Sequence, residues 1–172
     1  GSDLTVSETM PEKVMSIGEN LQIRRFARFG ENTSVAYVHA GGKIGVLVEF
    51  AFEKAETAQA ESFKTFAHDV ALQVAAVAPI CATRDQVPAV TVEHEKQIYM
   101  AQAAESGKPE AIQERMAQGR LEKYFKEFVL CEQEFVKDSS VTIDGLAKKV
   151  SKSLGDDIKV KTFVLYRFGE EA

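Results

Sequence analysis

Along this chain the spacing of apolar residues changes from strand-like runs to helical stripes and back again. Residues 1–20 are polar and mixed, and positions 1–16 read as a flexible lead-in in which Gly1-Ser2 has the look of a cloning scar. Residues 21–30 read as a strand and 34–40 as a second. Gly41-Gly42 then predicts a tight hairpin, because two residues tolerant of positive φ suit a primed two-residue turn. The return run, 43–52, is apolar without clean alternation and so predicts a strand covered on much of both faces. The local expectation is a meander of three antiparallel strands.

From Thr57 the period lengthens. Phe63, Phe66, Ala67, Val70, Val74 and Val77 follow the three-four spacing of a single helical stripe, and Pro79 ends it. A second helix is predicted over 90–105 and a third over 109–128, with Gly107-Lys108-Pro109 between them. There glycine suits a helix end and proline a first turn. Two long helices joined so briefly fold back as an antiparallel hairpin, and each is polar around much of its circumference, so the pair reads as a projecting arm. A short helix near 142–153 and a strand over 158–168 close the chain. The fold class is α+β: an antiparallel sheet of about four strands backed by helices, with the arm inserted before the last strand. The domain reading is a half-core of 17–88 and 129–172 interrupted by an arm of 89–128.

Composition narrows the function classes. With 21 basic and 26 acidic residues the formal net charge is −5, which argues against a nucleic-acid or anionic-membrane binder. No apolar run reaches the ~20 residues of a membrane helix, and no basic-then-apolar leader points to export. Cys81 and Cys131 are far apart in sequence and belong to no spaced cluster, so they read as packing thiols of a chain from the cytosol or a bacterium-derived organelle matrix. His39, His68 and His94 have no neighbours at metal-ligand spacing. The glycines Gly41, Gly42 and Gly45 lie within a hairpin, not between a strand and a helix, so turn geometry explains them better than phosphate binding. Neither a metal, a cofactor nor a catalytic constellation is expected; the residues describe a binding protein.

One helix carries a second signal. At 100° per residue Gln73 projects roughly 20° outside the main apolar arc, with Asp69 one turn earlier and Leu72 and Ala76 flanking the pair. That mixed face is either covered by the chain's own arm or terminal helix, or is a partner site, since non-obligate interfaces have this composition.

Several segments resemble elongation factor Ts, the nucleotide-exchange partner of the GTPase elongation factor Tu. The most informative is 106–141, SGKPEAIQERMAQGRLEKYFKEFVLCEQEFVKDSSV, which is similar to that family's helical arm and the segment after it. IGENLQIRRF (17–26), HAGGKIGVLV (39–48), DVALQVAA (69–76) and FVLYRFGE (163–170) resemble further family segments in the family's order. The family's Thr-Gly-Ala-Gly-Met-Met-Asp-Cys-Lys and Thr-Asp-Phe-Val patterns do not occur in the sequence. The resemblance is therefore to the carboxy-terminal half-core plus arm, the family's dimerisation region.

What the resemblance implies is docking on the third domain of elongation factor Tu, with Asp69, Leu72, Gln73 and Ala76 at or beside the docking face. Gly41, Gly42 and Lys43 at the hairpin tip are a weaker candidate contact. Ile112, Met116, Leu121 and Tyr124 are expected to pack the two arm helices together, or to serve a homodimer. The implied activity is exchange of GDP for GTP by differential binding, without covalent chemistry. The alternative is a stand-alone dimerisation or interaction module that binds itself or another translation component and has no exchange activity.

Overall fold

The computed structural model describes residues 3–30 and 33–170. They form two compact units, one reaching to Arg28 and the other spanning Phe29–Glu170.

The first unit departs from expectation twice. Where a flexible lead-in was expected over 1–16, residues 6–16 form most of helix α1, Val6–Ile17. Its start is a reciprocal capping box in which the Glu8 carboxylate accepts from the Thr5 N–H at 2.8 Å and the Thr5 hydroxyl oxygen accepts from the Glu8 N–H at 3.3 Å. Gly18, at φ 79°, ends it in the left-handed conformation. Gly1-Ser2 lies outside the described residues. Residues 21–30, predicted as a strand, join no sheet, and Ile23 and Phe26 stand 58% and 84% exposed. Strand propensity there finds no ladder to complete, and an extended segment is not a strand without one.

In the second unit, β1 (Ser34–His39) pairs antiparallel with β2 (Ile44–Ala51). Because His39 pairs with Ile44, residues 40–43 form the loop, so it is longer than the predicted two-residue turn. Ala40, Gly41 and Gly42 all take positive φ (51°, 65° and 94°), which is the backbone reason for the two glycines.

Helix α2, Glu61–Val77, packs its stripe on the sheet. Phe50 meets Phe63 and Phe66 edge-on at centroid distances of 5.3 and 5.7 Å, and each such buried side chain is worth roughly 1.5–3 kcal/mol. Its last residue, Val77, was expected in the core and is instead 44% exposed. The successive contacts Phe52–Phe63, Phe50–Phe66 and Tyr37–His68 show that α2 runs back along β2, so its C-terminal end and the β1–β2 loop lie at the same end of the unit.

The helical hairpin is α3, Ala89–Ala104, and α4, Glu110–Phe128, with Gly107 at φ 65° in the break. Its base has a small core of Val87, Leu121, Phe125 and Val129. The chain returns through β3 (Glu134–Phe135) and β4 (Asp138–Thr142), a short hairpin that the sequence reading missed. Helix α5, Ile143–Leu154, is capped by the Thr142 hydroxyl and buries Ile143 and Ala147. Finally β5, Lys159–Arg167, runs antiparallel beside β2.

The architecture is α+β as expected, but the strands divide into a three-stranded sheet of order β1-β2-β5 and a separate pair β3-β4. The third strand of the main sheet thus comes from the far end of the chain, not from residues 21–30. The Asp156 carboxylate ties this closing turn to the end of β2. It accepts from the Glu53 and Lys54 N–H groups at 3.0 Å each and from the Thr57 hydroxyl at 2.5 Å. Those bonds, the Thr57 hydroxyl foremost, hold its pKa down to about 2.

Candidate functional site

Helix α2 presents its C-terminal half to two environments at once. Gln73 is 1% exposed, and its side chain is fully engaged by the returning chain. Its amide NH2 donates to the Gln133 side-chain oxygen at 3.3 Å and to the Glu134 carbonyl at 3.1 Å, and its oxygen accepts from the Val136 N–H at 2.9 Å. The cover is therefore neither the arm nor the terminal helix but the β3–β4 hairpin. Gln133 in turn donates to the Glu127 carbonyl at 2.7 Å, so the network reaches the last turn of α4. A buried amide whose hydrogen bonds all go to one hairpin sets that hairpin's position.

The other candidates on this helix are more open. Asp69 pairs with Lys137, just past β3, at 2.6 Å; Leu72 is half-buried and Ala76 exposed. Between the end of α2, the end of α4 and the β3–β4 hairpin lies an open cleft of about 640 Å³, lined in part by Gln73, Val77, Phe128 and Gln133. Lys123, Lys126, Glu127, Glu132 and Glu134 give its rim both signs of charge. Exposed apolar side chains lie in or next to these elements: Val77 (44%) in α2, Ile80 (51%) just after it and Val136 (46%) in the turn between β3 and β4. The Ile80 N–H donates to the Phe128 carbonyl at 2.9 Å, which fixes this residue next to the cleft. An apolar centre with a mixed polar rim is the composition of a protein-binding surface.

Val77, Ile80 and Val136 were missed as candidates. Val77 continues the core stripe in sequence, and Val136 belongs to the unrecognised hairpin. Gly41, Gly42 and Lys43 are exposed at the loop that shares an end with α2, and the Lys43 carbonyl accepts from the Phe168 N–H at 2.8 Å. Of the four arm residues, Leu121 is buried in the arm-base core, Tyr124 packs against it, Met116 is half-buried and Ile112 is 43% exposed.

Among the described residues no group of three or more His, Cys, Asp or Glu side chains gathers as a metal site. Cys81 and Cys131 are free and half-buried, and burial pushes the Cys131 thiol up to about 12. No described helix is long and apolar enough to cross a membrane.

The family model for "Elongation factor TS" matches residues 1–170. The chain belongs to the elongation factor Ts family. It is 44% identical over 168 residues to elongation factor Ts of Clostridium kluyveri, covering 96% of this chain and 54% of that protein. It is also 44% identical over 167 residues to the Clostridium botulinum (strain Okra / Type B1) protein, and 40% identical over 168 residues to that of Symbiobacterium thermophilum. In both cases 96% of this chain is covered, against 53% and 55% of the relative. The chain spans about half the length of the curated relatives it matches. Within it, the elongation factor Ts-like DVALQVAA segment is the half of α2 that carries Asp69, Gln73 and the cleft.

Proposed function

We propose that this chain is part of an elongation factor Ts that binds elongation factor Tu and promotes exchange of GDP for GTP in protein synthesis. The observation that carries the reading is the exposed apolar set Val77, Ile80 and Val136 around the cleft at the end of α2, in a chain of this family. In this reading residues 17–88 and 129–172 are a half-core that docks on the third domain of the GTPase, and 89–128 are its arm. Ala76 and Leu72 extend the apolar contact, Asp69 and Gln73 hold the β3–β4 hairpin that frames it, and Gly41, Gly42 and Lys43 form an outlying contact. The setting is the cytoplasm, or the matrix of an organelle of bacterial origin.

Exchange needs only binding. A factor that binds the nucleotide-free GTPase more tightly than the GDP-bound form weakens GDP by the same coupling free energy. Without the Thr-Asp-Phe-Val pattern this chain supplies affinity and orientation, and by itself it releases GDP slowly. Calorimetric titration into nucleotide-free and GDP-bound elongation factor Tu tests this. Tighter binding to the nucleotide-free form is the expected result, and the Val77→Asp, Ile80→Asp double variant should lose about tenfold or more in affinity. Binding to neither form, or an unaffected double variant, would refute the site.

Self-association has its own support in the main sheet. The face turned away from α2 carries Ala36, Val38, Leu47, Val164 and Tyr166 in register, and Val38 is 68% exposed. A second copy of this chain meeting that face would make a homodimer. Sedimentation should then show a dimer that Val38→Lys dissociates, whereas a monomer at all concentrations excludes it.

A further inference from the structure

The base of the arm is joined to the half-core by a narrow backbone ladder. Residues 80–82 run beside 128–131, with Ile80 N–H to Phe128 carbonyl, Leu130 N–H to Cys81 carbonyl and Cys131 N–H to Ala82 carbonyl at 2.9–3.0 Å. A two-segment ribbon of this kind fixes position well but resists twisting about its own axis poorly. The orientation of a long arm therefore depends on contacts lying off that axis.

Gln86 and Gln133 supply one such hydrogen bond each, to the Lys161 and Glu127 carbonyls at 2.7 Å, and Arg84 supplies four. Arg84 sits on the short 3-10 turn Arg84–Gln86, between the ladder and α3. Its guanidinium donates to both oxygens of Glu132 (2.6 and 2.5 Å) where the chain rejoins the half-core, and to both oxygens of Glu122 (3.2 and 2.9 Å) on α4. The same group lies over the Phe125 ring at 4.2 Å from its centroid. Glu122 is six residues before the end of α4, roughly 9 Å along the helix axis from the ladder. The guanidinium thus acts as a strut with a lever, and its planar fork is what lets one group brace two carboxylates at once. The two carboxylates, Glu132 foremost, raise the Arg84 pKa further above its ordinary value, so the guanidinium itself stays charged.

We propose that Arg84 is a positioning residue for the direction of the arm relative to the half-core, and that its removal widens the range of angles the arm takes about the ladder while both parts stay folded.

Pulsed electron spin resonance on the full chain, without any partner, tests it. Cys81→Ser and Cys131→Ala remove the native thiols. Spin labels at Lys108→Cys (arm tip) and Lys152→Cys (α5) then report arm direction, and a pair at His94→Cys and Lys123→Cys reports the arm itself. With Arg84 present both distance distributions should be narrow. Arg84→Met should broaden the tip-to-α5 distribution about twofold while the arm pair stays narrow, as expected for a hinge. Glu122→Gln with Glu132→Gln should reproduce this with Arg84 in place. An unchanged tip-to-α5 distribution overturns the proposal, and so does equal broadening of the arm pair, which would mean that the arm has melted. Should Arg84→Met not fold, Arg84→Lys keeps the charge and loses the fork. A smaller broadening there supports the brace, and no change refutes it.

Discussion

Replacing Gln73 with alanine removes a buried side chain that makes three hydrogen bonds to Gln133, Glu134 and Val136. The Val136 N–H and the Glu134 carbonyl lose a partner, and the Gln133 oxygen loses its donor. Each group left unsatisfied in the interior costs about 1–3 kcal/mol, but the adjoining cleft is open, so water can replace part of this. The lost methylene adds about 0.8 kcal/mol. Together the structure implies a loss of about 2–4 kcal/mol, concentrated in the β3–β4 hairpin. At roughly 2–4 °C per kcal/mol for a chain of this size, the melting temperature should fall by about 4–16 °C.

Urea unfolding followed by far-ultraviolet circular dichroism measures the loss. Amide hydrogen exchange at Val136 shows whether the hairpin loosens first. Gln73→Met, which keeps the bulk and drops the hydrogen bonds, should recover only the packing part. A loss below about 1 kcal/mol in Gln73→Ala would refute the reasoning, because the amide would then be no more than a surface residue. Under the proposed function this variant should also bind elongation factor Tu more weakly, through a misplaced hairpin and not through a lost contact of Gln73 with the partner.

Other consequences are as direct. Asp156, held near pKa 2 against about 4 when unfolded, contributes stability that is present above pH ~4 and is lost as the pH falls towards ~2. Acid unfolding of Asp156→Asn should lack that component, and identical acid profiles would exclude it. Thr5→Ala removes the capping box of α1 and should cost the helix about 1 kcal/mol, read as faster hydrogen exchange over its first turn. Ala78 ends α2 at φ 47°, a conformation that glycine adopts without strain, so Ala78→Gly should stabilise the protein by about 0.5–1 kcal/mol in urea unfolding.

Local periodicity was enough for much of this molecule. The three-four stripe from Phe63 to Val74 predicted α2 and the residues it buries. Gly107-Lys108-Pro109 marked the break between α3 and α4, and the apolar-aromatic run before Phe168 became β5. These are properties of a segment and its own turns, so they are written in short stretches of sequence. The capping box at Thr5 and Glu8 was equally local, and it was the signal for α1 that the polar composition of the lead-in obscured.

What needed the tertiary structure was the identity of each face's partner. A stripe says that a face is covered, not by what. Gln73 is sealed by a hairpin some sixty residues later, and β2 takes as its neighbour a strand from the chain's far end. Residues 21–30, expected as a strand, join no ladder. Val77 carries the same period as Val74, yet it emerges 44% exposed at the cleft. The proposed docking surface and the proposed Arg84 brace were invisible for the same reason. Each is assembled from side chains on three or more elements, and the free energy that gathers them comes from burying the core, which no short window of sequence contains.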